Sequence, residues 1–196
     1  MEKLASFMLL FLLFGLATAK EVLDTSGEPL VPGAEYYILP RIFAIGGGLS
    51  LAKTRNKSCP VDVIQEISEV ENGMPLKITP IPRIGIVTTG ILLKVSFTST
   101  PNCTQSSEWM LVKDDSSWLV GIGGPEDHSG SETLTGWFKI EEYEKAYKLM
   151  FCPIFTAPIC GDIGIYVDED YNRHLILSDQ GPYVVVFRKA NETSDE

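Results

Sequence analysis

From Tyr36 onward, the hydrophobic residues fall into short runs separated by Gly, Pro, Asn, Asp and Ser. The runs are rich in Val, Ile, Phe, Tyr and Trp, which favour extended strands with turns between them. Examples are residues 36–39, 91–97, 109–112, 149–151, 163–167, 174–177 and 183–187. No long segment has hydrophobic residues at helical spacing. The pattern predicts an all-β fold, closed into a barrel or packed as a sandwich.

Two details of the pattern refine this prediction. Residues 141–148 are helix formers, but the segment is short and runs into an apolar run, so we expect at most one helical turn there. Residues 109–112 and 147–150 are similar enough to be equivalent strands of a faint internal repeat, with the Gly-Ile pairs 121–122 and 164–165 following them.

The N-terminus has the three parts of a secretory signal peptide. Lys3 precedes an apolar run over residues 7–16, and the small residues 17–19 follow it. The run is too short to cross a bilayer as a helix, and no later segment approaches the twenty or so apolar residues that a span needs. We expect cleavage after Ala19, one domain over residues 20–190 because no linker interrupts it, and a polar tail over residues 191–196.

Charge and cysteine content indicate the compartment and exclude some partners. Without Glu2 and Lys3, the mature chain has 15 basic and 25 acidic residues and a net charge of −10, which disfavours nucleic acid and anionic membranes.

Four cysteines in a secreted chain predict two disulfides, and spacing favours Cys59 with Cys103 and Cys152 with Cys160, although three connectivities are open. Asn56, Asn102 and Asn191 begin glycosylation motifs, and the neighbouring cysteine makes Asn102 the weakest of them.

Metal and catalytic sites have little support in the sequence. The cysteines are far apart and His128 and His174 are isolated, so no zinc site and no cofactor are predicted. Asp168, Asp170 and Asn172 match the start of a calcium loop, but Arg173 stands where that loop needs Gly, so an acidic hairpin turn explains them better. The triplet 127–129, Asp-His-Ser, lies among glycines and predicts a surface loop rather than a hydrolase site.

Pro82-Arg83-Ile84 is the most informative tripeptide, because it lies between Cys59 and Cys103. Proline and a β-branched residue both favour the extended backbone that proteases bind. A long cation on such a loop suits a trypsin-like protease, whose specificity pocket is acidic. On composition alone, an ordinary solvated arginine at a turn is the better explanation of Arg83.

The chain resembles plant Kunitz inhibitors of the soybean trypsin inhibitor family. The opening Val22-Leu23-Asp24-Thr25-Ser26-Gly27-Glu28-Pro29-Leu30 resembles the start of their mature chains. Further matches are Gly33 and residues 36–40, 59–61, 136–138, 147–153, 160–165 and 184–187. The resemblance covers nearly the whole mature chain.

The resemblance implies a β-trefoil of twelve strands in three pseudo-repeats, six forming a short barrel and six capping it. It also implies the disulfides Cys59–Cys103 and Cys152–Cys160. It places the reactive loop at residues 79–86, with Arg83-Ile84 as the scissile bond and Ile81, Pro82, Gly85 and Ile86 as flanking contacts. Pro32 stands where strong inhibitors of the family have an Asn that braces the loop, and Gly85 loosens the loop after the scissile bond.

These observations predict a secreted, monomeric inhibitor of a trypsin-like serine protease that is not an enzyme. One alternative is an inhibitor of cysteine or aspartic proteases, acting through Ser106-Ser107 or residues 155–159. The other is a storage, taste-modifying or ligand-binding trefoil without inhibitory activity, which Pro32 and the apolar residues 153–159 make plausible.

Overall fold

The computed structural model describes residues 19–54, 57–154 and 159–190. Most of the expected signal peptide, the glycosylation candidates Asn56 and Asn191, residues 155–158 and the polar tail lie outside the described residues. Within the described ranges, no helix is long and apolar enough to cross a membrane.

Thirteen β-strands and two short 3₁₀ helices make up the regular structure of the described residues. The strands are β1 (Glu35–Pro40), β2 (Leu49–Ala52), β3 (Asp62–Gln65), β4 (Leu76–Pro80), β5 (Leu93–Phe97), β6 (Trp109–Asp114), β7 (Ser117–Ile122), β8 (Thr133–Leu134), β9 (Gly136–Tyr143), β10 (Ala146–Pro153), β11 (Gly161–Val167), β12 (Arg173–Ser178) and β13 (Val184–Lys189). The 3₁₀ helices are Phe43–Ile45 and Pro125–His128. The prediction of an all-β fold is confirmed.

Six strands close into a ring. In order around it, β1 pairs with β4, β4 with β5, β5 with β9, β9 with β10, β10 with β13, and β13 with β1, every pair antiparallel. Closure leaves none of these strands as a free edge, which removes the usual route to edge-to-edge aggregation.

Three hairpins cap this barrel. They are β2–β3, β6–β7 and β11–β12. One strand of each hairpin meets the other two, through the pairings of β3 with β7, β3 with β12 and β7 with β12. Each third of the chain thus supplies two barrel strands and one hairpin, which is the β-trefoil that the resemblance implied. The two-residue strand β8, paired with β6, is the addition to the expected twelve.

Alternation of buried and exposed residues explains why these segments form barrel strands. In β5, Leu93, Val95 and Phe97 are buried while Lys94 points to solvent. A chain of aromatic rings then crosses the core, with centroid distances of 6.0, 5.5 and 5.4 Å along Phe97, Trp109, Phe138 and Phe151. Edge-on packing, as in the pairs Trp109–Phe138 and Phe138–Phe151, adds about 0.5–1.5 kcal/mol per pair beyond simple burial.

Both disulfides that the resemblance implied are present, Cys59–Cys103 and Cys152–Cys160. No cysteine is free.

Residues 141–148 contain no helical turn, which is within the limit of at most one turn that the sequence set. The segment is the hairpin between β9 and β10, in which Tyr143 pairs with Ala146. Glu144 and Lys145 both have positive φ, 48° and 62°, as a two-residue type I′ turn requires. The turn lacks the usual Asn-Gly signal, and cross-strand pairing overrides the helix propensity of its residues.

The proposed equivalence of residues 109–112 and 147–150 is wrong. The first segment lies in β6, a cap strand, and the second in β10, a barrel strand. In each third of the chain, the cap hairpin begins with β2, β6 or β11, so β6 corresponds to β11. Both segments are apolar strands that begin with an aromatic residue, and period-two patterning cannot distinguish a barrel strand from a cap strand.

A polar cluster surrounds the buried carboxylate of Asp62 at the start of β3. The Asp62 carboxylate is fully buried and accepts hydrogen bonds from the Thr54 hydroxyl at 2.6 Å and the Lys57 ammonium at 2.9 Å. The ring of His128 donates from Nε2 to the Ile122 carbonyl at 2.8 Å, and its Nδ1 lies 3.5 Å from Lys57 Nζ. A proton on Nδ1 would therefore face an ammonium group.

We predict that this histidine makes the protein less stable in mild acid. Burial lowers the pKa of His128, and Lys57 lowers it further, against opposing effects of the Ile122 carbonyl, Asp62 and Asp127. Because the folded state disfavours the charged ring, the neutral form of His128 contributes to the stability of the fold. This contribution is fully present above the unfolded pKa of about 6.5 and is lost as pH falls below it. Urea unfolding between about pH 7 and pH 5 should show the loss, and His128→Gln should flatten it. An unchanged slope in that variant would contradict the assignment.

Candidate functional site

The connection between β4 and β5 is fixed at both ends and free in the middle. At one end, the Ile81 amide donates to the Leu92 carbonyl at 2.9 Å, directly after the buried Pro80. At the other, the Val87 amide donates to the Leu30 carbonyl at 2.8 Å. Residues 82–86 between them are exposed and make no hydrogen bond to another described residue. The loop therefore projects from a rigid base.

The N-terminal segment holds the far end of this loop. Val22 donates its amide to the Val87 carbonyl at 2.9 Å, and Leu30 donates to Val22 at 2.8 Å. The side chains of Val22, Leu30 and Val87 are all fully buried. Beyond them, Thr89 donates to the Lys20 carbonyl at 2.8 Å. Hydrophobic burial and backbone pairing thus fasten residues 87–89 independently of the loop tip.

The side chains at the tip combine a cation with exposed apolar groups. Arg83 is exposed and forms no ion pair or hydrogen bond with the described part of the chain. Around it, Ile81, Ile84 and Ile86 are 42%, 37% and 37% exposed. The loop holds these large aliphatic side chains in water. A partner that covers them removes apolar surface from water, which stabilises the complex. The structure brings together all six residues that the sequence analysis placed at this loop.

Pro32 cannot donate a side-chain hydrogen bond to the reactive loop. Ala34 donates to the Val31 carbonyl at 3.2 Å, and Gly33 has a φ of 87°, so residues 31–34 form a type II turn with Pro32 in its second position. Proline fits that position well, but it has no side-chain donor. The Val31 amide is itself used, because it donates to the Tyr36 hydroxyl at 2.9 Å.

Gly85 is a glycine that the backbone does not require. Its φ is not positive, and nothing lies within 4 Å of a Cβ built on it. We predict that Gly85→Ala slows cleavage of the loop by trypsin and tightens the complex roughly two- to fivefold, since alanine restricts the free loop by about 0.4–1 kcal/mol. Gly90→Ala is the contrasting variant, because Gly90 has a φ of 77°, where alanine is strained. Faster cleavage of Gly85→Ala would contradict the prediction.

The loop containing Ser106 and Ser107 is bonded to itself and to the barrel. Ser107 donates its hydroxyl to the Phe97 carbonyl at 2.7 Å, and Ser106 Oγ accepts the Glu108 amide at 3.1 Å. Both serines are half-buried. In the other alternative segment, Ile159 is 78% exposed, whereas residues 155–158 lie outside the described ranges.

The remaining candidates have structural roles. Asp168 accepts from the Asp170 and Asn172 amides at 3.0 and 2.8 Å and from His174 Nε2 at 2.8 Å, as an acidic hairpin turn requires. Burial raises the pKa of Asp168, but hydrogen bonds from Asn172 and His174 outweigh it and lower the pKa overall. Ser129 donates to the Glu126 carbonyl at 3.3 Å rather than to His128. Among the described residues, no group of three His, Cys, Asp or Glu could hold a metal ion.

Comparison with known proteins agrees with this geometry. Residues 22–189 match the legume Kunitz family model, described as "Trypsin and protease inhibitor". The chain is 40% identical to "Kunitz-type trypsin inhibitor-like 2 protein" of Pisum sativum, with 100% of this chain and 97% of that protein covered. The crystal structure of a Kunitz type trypsin inhibitor from Cicer arietinum is similar with a TM-score of 0.83 and 44% identity, covering 87% of this chain and 99% of that one.

A solved complex extends the comparison. The soybean trypsin inhibitor bound to porcine pancreatic trypsin is similar to this chain with a TM-score of 0.77 and 37% identity, covering 88% of this chain and 100% of the matched chain. A family match over nearly all of the mature chain, a closed trefoil barrel and an exposed loop anchored at both ends agree with one another. The chain therefore belongs to the legume Kunitz family of trypsin and protease inhibitors.

Proposed function

We propose that this protein inhibits a trypsin-like serine protease by presenting Arg83-Ile84 as a scissile bond that is bound tightly and cleaved slowly. The observation that carries the proposal is the exposed, unpaired Arg83 on a loop whose two ends are hydrogen-bonded to the scaffold. Arg83 would enter the acidic specificity pocket, and Ile81, Pro82, Ile84, Gly85 and Ile86 would make the flanking contacts. The related soybean inhibitor bound to trypsin supports the protease class.

The anchors explain how such a loop inhibits rather than serves as a substrate. If the bond after Arg83 is cut, the new C-terminal end remains attached to β4 through Ile81, and the new N-terminal end remains attached through Val87. Neither end can diffuse away, so religation competes with release. A loop whose ends are already fixed also loses less conformational entropy on binding, which favours tight association at an ordinary interface size.

The disulfides support the compartment that we propose. Two disulfides suit an oxidising environment, and this supports cleavage after Ala19 and passage through the secretory pathway to the extracellular space or a vacuole. Glycosylation at Asn56 and Asn191 and a monomeric mature domain over residues 20–190 belong to the same proposal. No cofactor is needed, because the chemistry is performed by the protease.

Titration of trypsin with the purified, oxidised mature chain tests this function. Residual activity should fall stoichiometrically, and mass spectrometry should detect slow cleavage at Arg83-Ile84 alone. Rapid cleavage without lasting inhibition would show a substrate, and would direct attention to Pro32 and Gly85. Parallel assays with papain and pepsin address the two other protease classes. Inhibition of one of these with no effect on trypsin, or of none, would overturn the proposal.

A further inference from the structure

A wide groove of the described structure lies away from the reactive loop. It has a volume of about 1060 Å³, and none of the described residues that line it belongs to the connection between β4 and β5. Its walls come from the segment after β1, the β6–β7 turn, Glu144 of the β9–β10 turn, the β11–β12 hairpin and the segment that joins β12 to β13. Three units of the trefoil therefore contribute to one concave surface.

A pre-oriented arginine lies in this groove. Arg173 is half-buried, and its Nε donates to Gln65 Oε1 at 2.8 Å. Gln65 is fully buried, and its amide nitrogen donates to the Ile45 and Gly47 carbonyls, both at 3.1 Å. These two bonds fix the orientation of the Gln65 amide, and the amide in turn fixes the guanidinium plane. The two terminal nitrogens of Arg173 keep four N–H donors in one plane.

The charge of this arginine is not neutralised within the described part of the chain. Arg173 forms no ion pair with a described acid, and the two acids of the groove are engaged elsewhere or open to solvent. Glu144 pairs with Arg41 at 3.2 Å, and Asp179 is exposed. A partly buried guanidinium without a counterion is costly, and such positions are typical of anion-binding sites.

A buried hydroxyl of the groove also has no partner among the described residues. The Tyr183 side chain lines the groove and is 5% exposed, and its hydroxyl makes no hydrogen bond to another described residue. Burial raises the pKa of this hydroxyl, and the nearby charge of Arg173 opposes the rise, so the group stays a neutral donor. An unpaired buried hydroxyl costs about 1–3 kcal/mol, which a ligand or an ordered water would recover.

The other residues that line the groove are suited to contact the apolar part of a ligand. Ile42 and Ile45 are 58% and 43% exposed on one wall. Trp118, Ile165 and Leu177 present half-buried surface on the others. A ligand that covered these side chains would remove apolar surface from water while its polar end faced the arginine.

We propose that this groove binds a small carboxylate with an aromatic body, with the carboxylate oxygens on the terminal nitrogens of Arg173. A planar carboxylate matches two parallel N–H donors of a guanidinium, and such bidentate pairs are the strong charge-assisted hydrogen bonds. The site is distinct from the loop of Arg83, and the proposal does not depend on protease inhibition.

Calorimetric titration of the mature chain with 2-naphthoate at low ionic strength and neutral pH tests the proposal. We expect saturable binding with one site, and roughly tenfold weaker binding of 2-naphthalenemethanol, which has the same aromatic body without the charge. Equal binding of the two probes, or no saturable binding of the acid at millimolar concentration, would overturn it.

Variants locate the site. Arg173→Gln should weaken 2-naphthoate binding about tenfold or more, whereas Arg188→Gln, the same charge change on β13 next to Tyr37, should leave it unchanged. Asp179→Asn should strengthen binding, because it removes the unpaired acid of the groove, and it serves as the test if Arg173→Gln does not fold. Equal losses in the two arginine variants, or weaker binding after Asp179→Asn, would exclude the groove. Trypsin inhibition should be unaffected by Asp179→Asn.

Discussion

Replacing Arg83 by alanine should reduce trypsin inhibition about a thousandfold or more. The arginine is the one side chain of residues 81–86 that carries a charge, and it is exposed and unpaired in the free protein. The variant therefore loses nothing within its own fold and loses the whole interaction with the acidic pocket. Central anchors of this kind contribute roughly 4 kcal/mol or more to binding. The measurement is the inhibition constant for trypsin, together with the unfolding midpoint, which should not change.

Two further variants make this result specific. Arg83→Lys should retain inhibition within about tenfold, because the same pocket accepts lysine. Arg41→Ala removes an arginine that is outside the loop and pairs with Glu144, and it should leave the inhibition constant unchanged. Full inhibition by Arg83→Ala would show that the protease contacts another part of the molecule, and the loops at residues 101–108 and 153–160 would be examined next.

Loss of the Cys59–Cys103 disulfide should destabilise the protein by about 4 kcal/mol, the largest stability change that we expect. This bridge joins residues 44 positions apart, whereas the Cys152–Cys160 bridge joins residues eight positions apart. In the chain-entropy model, the cost of closing the unfolded chain grows with the length of the loop, and the shorter bridge contributes about 2.5 kcal/mol. Urea unfolding of Cys59→Ser/Cys103→Ser and of Cys152→Ser/Cys160→Ser measures the difference.

The same pair of variants reports on the reactive loop. The longer bridge encloses β4, the loop and β5, so its loss should also speed the release of cleaved ends after attack at Arg83. The shorter bridge lies outside this region and should leave the cleavage rate unchanged. Equal losses of stability in the two variants, or faster cleavage after loss of the shorter bridge, would contradict this account.

Local sequence signals were sufficient for strands but not for all turns. The alternation in β5 and the β-branched runs of β11 and β13 identify strands because side chains on an extended backbone point to opposite faces. The hairpin at Glu144 and Lys145 was missed because positive φ at two ordinary residues is imposed by the pairing of β9 with β10. The role of Arg83 stays a prediction, which rests on its residue type, its proline neighbour and the family resemblance that places the reactive loop at residues 79–86.

The sequence by itself determined the all-β class, the family, and the identity of the residues at the candidate reactive loop, because these depend on local patterning and on motifs that lie close together in the chain. Tertiary structure alone decided which strands close the barrel and which cap it, and that Leu30 and Val22 secure the loop at Val87. It also brought Gln65 to Arg173, a pair separated by 108 residues. Such contacts join distant segments through backbone pairing and burial, and no local pattern records which distant partner a residue will meet.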